Sequence, residues 1–258
     1  MHLKHMTAVL AAMAFAFVGW AQTSSIPTLQ DLARTPRMPF LVQGCHAECP
    51  DHHAQATERG FLPVNNYDMG PSIARSDSFD VQHYELFLDL TSYSQQSMGA
   101  LAVIDFQVLQ GGGTRIWWDL SDLLVDSVLW NGASVPFHQW GEELHVDALS
   151  PMEEGEAVTL EIAYGGQPGD DPYWGGMYFA ADLIYNLGIG LTSIPPNFGR
   201  VWYPCFDNFV ERATYTYHLQ TADGRRAHNQ GHLVEELSLG GDTLLSTWAL
   251  DHPIPTHL

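Results

Sequence analysis

Apolar and polar residues exchange places at every second position over most of this chain after Phe79. Tyr84, Leu86, Leu88 and Leu90 alternate with polar neighbours, and after the Met98-Gly99 break Ala102, Ile104, Phe106 and Val108 repeat the pattern. A period of two puts successive side chains on opposite faces of an extended backbone, so each run predicts a half-buried strand. Ile116, Trp118 and Leu120 follow the Gly111-Gly112-Gly113 turn. Val128 to Trp130 enters Asn131-Gly132, a pair that accepts positive φ at both turn positions, and Val135 and Phe137 lead back. Leu144 and Val146, then Val158, Leu160, Ile162 and Tyr164, complete a first set. The second set is Met177 to Tyr185, Val201 to Tyr203, Ala213 to Leu219, His232 to Leu237 and Leu244 to Leu250, with Asp223-Gly224 and Gly240-Gly241 as turns. No long 3.6-residue period appears after Phe79. Short strands with turn signals about every 8–12 residues predict an all-β sandwich of mostly antiparallel strands.

Upstream the texture differs. Thr7 to Trp20 is an unbroken run of apolar and small residues behind Lys4, with His2 and His5 nearby, and Gly19-Trp20-Ala21 offers small residues at both cleavage positions. The 14-residue run is shorter than the ~20 residues that span a bilayer. Residues 1–21 therefore read as a secretory signal peptide that leaves Gln22 as the new N-terminus. The mature chain is expected to be secreted or periplasmic, with no membrane contact once the signal is cut. Residues 22–76 carry scattered prolines and, apart from a short helix over Leu29 to Arg34, read as an irregular arm. Residues 77–258 are the β domain.

Composition narrows the partners. Of 258 residues, 45% are hydrophobic and 12% aromatic, enough for a sizeable core. Ten basic against thirty acidic residues give a formal charge of −20, which repels phosphate backbones and anionic lipids, so no nucleic acid is expected as a partner. Cys45 and Cys49 can bridge in an oxidising compartment, leaving Cys205 free and packed as a small apolar residue. The run Cys45-His46-Ala47-Glu48-Cys49-Pro50-Asp51-His52-His53 offers two sulfurs and three imidazoles. It has a metal-binding reading beside the plainer ones of a disulfide or a polar loop. The Gly111–Gly113 triplet is no phosphate cradle, since neither a helical pattern nor Lys-Ser/Thr follows it. Exposed tryptophans at Trp117-Trp118 would suit a sugar, but alternation turns one of them inward, so Trp118 is expected in the core.

The most specific stretch is Asn197 to Leu219, N-F-G-R-V-W-Y-P-C-F-D-N-F-V-E-R-A-T-Y-T-Y-H-L. Arg200, Pro204, Cys205, Asp207 and Ala213-Thr214-Tyr215 resemble the R-x-x-x-P-C-x-D-x-x-x-x-x-A-T-Y block of the aminopeptidase N family of zinc peptidases. Weaker motifs follow the same order. Asp80, His83, Tyr84, Leu86 and Leu88 match D-x-x-H-Y-x-L-x-L. Gly99, Ile104 and Phe106 match G-x-x-x-I-x-F with one extra residue. Ala227 and Gly231 match A-x-x-x-G, and Pro253, Ile254 and Leu258 match P-I-x-x-x-L. The resemblance implies a saddle-like β-sandwich, the family's N-terminal β domain, flanking a thermolysin-like catalytic domain that carries the zinc.

That chemistry is expected elsewhere in the parent polypeptide. None of the thirteen His residues opens an H-E-x-x-H helix, the zinc-binding signature. The family's G-x-M-E-N strand is also missing, because Gly176-Met177 runs into Tyr178-Phe179. The chain alone is expected to be inactive, with no cofactor of its own. In related enzymes the β domain lends a Gln or Glu, shortly before the matched Arg, to hold the substrate's free amine. Here Gly190 to Asn197 contains neither, so the candidate substrate-binding residues are Thr192, Ser193 and Asn197, which offer only neutral oxygens. The alternative is that Leu187 to Gly199 is a structural loop at the cleft edge. Arg200 and Asp207 fit a surface or loop-fixing pair better than catalysis. Two functions follow. One is the N-terminal, non-catalytic domain of a secreted zinc aminopeptidase-like enzyme, whose partners are its own catalytic domain and a peptide substrate. The other is a stand-alone secreted β-sandwich module for peptides, glycans or a partner protein.

Overall fold

The computed structural model describes residues 70–180 and 182–258. The signal segment, most of the arm and the Cys45–His53 cluster lie outside the described residues. The described part begins with α1 (Gly70–Ser78), β1 (Phe79–Asp89), β2 (Met98–Val108), β3 (Arg115–Asp119) and β4 (Leu124–Trp130). Then come β5 (Ala133–Ser134), β6 (Phe137–Trp140), β7 (Glu143–Asp147), β8 (Ala157–Gly166), β9 (Gly176–Ala180) and β10 (Leu183–Leu187). β11 (Ala213–Thr221), β12 (His232–Gly240) and β13 (Thr243–Ile254) complete it.

The expected all-β sandwich is what forms. One large sheet has the order β12-β13-β11-β1-β2-β8-β4-β5, and only its β1–β11 pair is parallel. A three-stranded sheet, β3-β7-β6, and the hairpin β9–β10 are separate from it. The alternating positions read from the sequence line the core: Leu86, Ile104, Leu160 and Tyr217 from the large sheet meet Ile116, Trp118, Leu144 and Val146 from the small one. Trp118 stacks on Phe206 with centroids 4.6 Å apart and meets the edge of Phe106 at 5.8 Å. Asn131 and Gly132 take φ of 49° and 82° and close the β4–β5 hairpin as their residue types require.

Period two is broken inside β1, where Val81 and Tyr84 are both buried although three positions separate them. A bulge between Val81 and His83 absorbs the extra residue and returns both halves of the strand to the core face. Its free donor is not wasted, for the Val81 N–H bonds the Glu211 carboxylate at 3.3 Å.

Three expectations are corrected. Val201–Tyr203 is not a strand; Gly199–Val201 forms a 3-10 turn, and Val201, Trp202 and Tyr203 are all buried, so no face alternates. The end of the irregular arm, Gly70–Ser78, is helical. Nine residues are marginal as an isolated helix. Tertiary bonds hold this one: Arg75 donates to the Trp117 carbonyl at 3.0 Å, and Asn208 donates to the Ser72 carbonyl and the Ser76 hydroxyl, each at 3.1 Å. β12 alternates in sequence but buries nothing, since it is the outermost strand of the sheet. Among the described residues no helix is long and apolar enough to cross a membrane.

The indole N–H of Trp118 is buried with no partner among the described residues. Trp118→Phe removes that unmet donor together with some volume, so it should cost less than about 1.5 kcal/mol. Trp118→Ala should cost about 4 kcal/mol through the cavity it leaves. Urea midpoints of the two variants check this, and equal losses would contradict it.

Candidate functional site

The Pro204–Asp207 block is anchored by its backbone. The Asp119 N–H donates to the Cys205 carbonyl at 2.8 Å, and the Cys205 N–H donates back at 3.1 Å, joining the end of β3 to the block. Cys205 is a free, fully buried thiol. Burial pushes its pKa well above the ordinary range, and the nearby acids Asp207 and Asp119 push it further. It is a packing residue, not a nucleophile.

Around this block runs a chain of alternating charges. Arg75 of α1 donates to the Asp119 carboxylate at 2.5 Å and lies over the rings of Trp117 and Phe206. The same Asp119 oxygen accepts the Asp207 N–H at 2.8 Å. Asp207 Oδ2 accepts Arg200 Nη1 at 3.1 Å and the Arg200 N–H at 3.2 Å, while its Oδ1 accepts the Thr256 hydroxyl at 3.1 Å. Arg200 Nε reaches Glu142 Oε2 at 3.1 Å, Nη2 reaches the Pro195 carbonyl at 3.3 Å, and Nη1 also meets the Asn197 carbonyl. Burial alone would lower the Arg200 pKa, but Asp207 and Glu142 outweigh it and raise it. Arg200 and Asp207 are therefore a loop-fixing pair, and a buried one: their side chains keep 5% and 1% of their exposure. Removing one partner from such a pair costs about 3–5 kcal/mol, against under ~1 kcal/mol for an exposed pair such as Arg225–Asp223.

The loop between β10 and Gly199 is tied down at a second point. Asp171 Oδ1 accepts the N–H groups of Tyr173 at 2.9 Å and Trp174 at 3.0 Å. Its Oδ2 accepts the N–H groups of Thr192 and Ser193, each at 2.8 Å, and both hydroxyls donate to the carboxylate as well, at 2.8–3.0 Å. Burial opposes the charge on Asp171, yet these donors prevail and hold its carboxyl far below the usual carboxylate range. Two of the three candidate substrate-binding residues, Thr192 and Ser193, are thus brought together, with their hydroxyls engaged by Asp171. Asn197 is fully buried, and neither end of its amide has a partner among the described residues. Backbone approach is equally close nearby. A Cβ on Gly188 would lie 1.7 Å from the His257 carbonyl oxygen, so the loop start and the chain segment after β13 leave room only for glycine.

Between these two anchors lies a cavity of about 270 Å³. Ser121, Asp122, Glu142, Asp170, Ser193 and Arg200 supply its polar lining. The Arg200 charge is already engaged by Asp207 and Glu142, so Asp122 and Asp170 make the space favourable to a cationic or amine group. These two acids carry no recognisable sequence motif, because residues from separate loops meet here only after folding. Among the described residues no three His, Cys, Asp or Glu side chains are grouped to hold a metal, so zinc finds no ligand set in them.

Solved structures share this architecture. The M1 zinc metallopeptidase from Deinococcus radiodurans is similar with a TM-score of 0.62 and 24% identity, over 70% of this chain and 41% of that one. A mutant M1 zinc metallopeptidase from the same organism, bound to a Tyr-Ser-Ala substrate, gives 0.63 and 25% over the same shares. A two-domain M1 zinc metallopeptidase mutant bound to L-tryptophan gives 0.63 and 24%. The chain thus spans about 41% of the length of the structures it matches. No family model and no curated protein matches it by sequence. The fold is that of the N-terminal domain of M1 zinc metallopeptidases, as the Arg200–Tyr215 block implies.

The Asp171 pKa is depressed, so its contribution to stability is complete above the unfolded carboxylate pKa of about 4 and fades as pH falls below it. Asp171→Asn should lose about 2 kcal/mol at pH 7, a melting-point drop of about 5 °C. The gap to wild type should close progressively below about pH 4. Melting curves from pH 7 to 3 test it; a constant gap would refute the role given to Asp171.

Proposed function

We propose that this chain is the N-terminal, non-catalytic domain of a secreted aminopeptidase N-like zinc metallopeptidase, which packs on a catalytic domain and forms one wall of its peptide-binding cleft. The observation that carries this reading is the shared fold, which spans only 41% of peptidases whose structures hold a peptide or an amino acid. Zinc and the hydrolytic step belong to the remaining part of such an enzyme.

Two features support the docking. Tyr173, Leu191 and Ile194 are exposed on or next to the Leu187–Gly199 loop, and Phe209 and Leu258 are exposed near His257, which packs edge-on against Phe209 and whose carbonyl faces Gly188. Apolar side chains exposed around one loop suit contact with another protein surface. The acidic cavity lies behind the same loop and suits the free amine of a peptide. In this reading Thr192 and Ser193 shape the loop that borders the substrate, while Asn197 is their buried neighbour.

The reading of the gene beyond codon 258 tests the assignment. An in-frame H-E-x-x-H within the next few hundred codons is expected, and a stop codon with no such motif downstream would overturn it. Export has its own test. N-terminal sequencing of protein recovered from the medium or periplasm should begin at Gln22, and an intact Met1 would remove the signal peptide from the proposal.

A further inference from the structure

The three-stranded sheet turns one face to the core and the other to solvent, and the outer one is built of rings. Ile116, Trp118, Leu144 and Val146 point inward, so the alternate positions share the outside. There Trp117 of β3 stands opposite His145 of β7, which stands opposite His138 of β6; Trp140 stands opposite Glu143. Trp117 and His145 are nearly parallel at 6.3 Å, His138 and Trp140 nearly parallel at 5.7 Å, and Trp140 meets His145 edge-on at 5.3 Å. Trp140 is 62% exposed. A single exposed tryptophan needs no explanation. Four linked rings crossing all three strands of a sheet do, with Arg75 of α1 covering the Trp117 end at 5.1 Å and His138 and Trp140 left open.

Charge decides what this face can hold. In a chain of net −20, the acids among these rings are each engaged by a neighbour. Glu143 pairs with His145 at 2.8 Å, Asp147 with Arg115 at 2.6 Å and Asp119 with Arg75 at 2.5 Å. None of these carboxylates is left without a partner. These engaged groups keep spare lone pairs and N–H donors that hydroxyl groups can use. The strand carrying Trp140 and His138 is also fixed in advance. The inward-facing amide of Gln139 donates to the Leu123 carbonyl at 2.5 Å and accepts the Val125 N–H at 3.2 Å, which ties β6 to the start of β4. A preorganised surface loses little entropy on binding.

We propose that this outer face is a binding site for a neutral oligosaccharide of β-1,4-linked glucosyl or N-acetylglucosaminyl units. Equatorial hydroxyls leave both faces of such sugars lined with C–H groups, which stack on the indole of Trp140, while the hydroxyl rims meet the Glu143–His145 and Asp147–Arg115 pairs. The site lies on the small sheet, adjoins the cavity described above only through Glu142 of the β6–β7 turn, and does not depend on the peptidase reading.

Titration of the full chain with cellohexaose and with N-acetylchitohexaose, followed by tryptophan fluorescence and calorimetry, tests it. At least one of the two should bind at millimolar concentration or below. Trp140→Ala should weaken that binding at least tenfold with an unchanged melting point, and Trp140→Phe should keep part of it. Silence with both sugars overturns the proposal, as does equal binding by Trp140→Ala. Tetramethylammonium serves as the contrasting probe: if it shifts the Trp140 emission and neither sugar does, the face is a cation box instead.

Discussion

A guanidinium can be taken out of water only if acceptors surround it, and Arg200 draws its four acceptors from three separate places. Glu142 comes from the β6–β7 turn, Asp207 from the Pro204 block, and the carbonyls of Pro195 and Asn197 from the loop after β10. Asp207 in turn holds Thr256, beyond the end of β13. Segments far apart in the chain are thereby fixed relative to one another by a single buried charge. The cost of leaving that charge unpaired exceeds what any one of these loops would gain by moving away. Arg75 repeats the arrangement on the other side of the block, makes α1 part of the domain and covers the Trp117 end of the small sheet.

Asp171 does for the loop what Arg200 does for the block. A carboxylate has room for several donors, and Asp171 takes backbone N–H groups and hydroxyls from two stretches at once. The hydroxyls of Thr192 and Ser193, attractive from sequence as ligands, are used up in this way. The polar lining of the cavity therefore comes mainly from Asp122, Asp170 and Glu142, held in place by an engaged framework. The domain thus carries two surfaces of opposite character. One is an acidic cavity behind the loop, and the other is a cluster of aromatic rings on the small sheet whose acids are engaged by neighbours.

The sandwich was legible because a strand between core and solvent must alternate, and Ala102–Val108, Val158–Tyr164 and Ala213–Leu219 do so without interruption. Legibility failed where tertiary contacts replaced alternation. Val201, Trp202 and Tyr203 are apolar or aromatic in succession because the turn is enclosed on all sides. α1 has little helical signal of its own and depends on Arg75 and Asn208 contacts over separations of more than forty residues. β12 shows the opposite failure, a convincing pattern at a sheet edge with nothing to bury it.

What the sequence determined by itself is most of the strand inventory, the Asn131-Gly132 turn, the resemblance carried by Arg200 to Tyr215, and that no H-E-x-x-H motif is written in it. All of these are local properties, set by side-chain period, backbone φ preference or contiguous motif. Only the tertiary structure decided that Thr192 and Ser193 serve Asp171, that Arg75 belongs to the Asp207 network, and that Asp122, Glu142 and Asp170 share one cavity. Those outcomes depend on which distant carboxylate reaches a donor first once the sheets have packed, and no spacing along the chain encodes that distance.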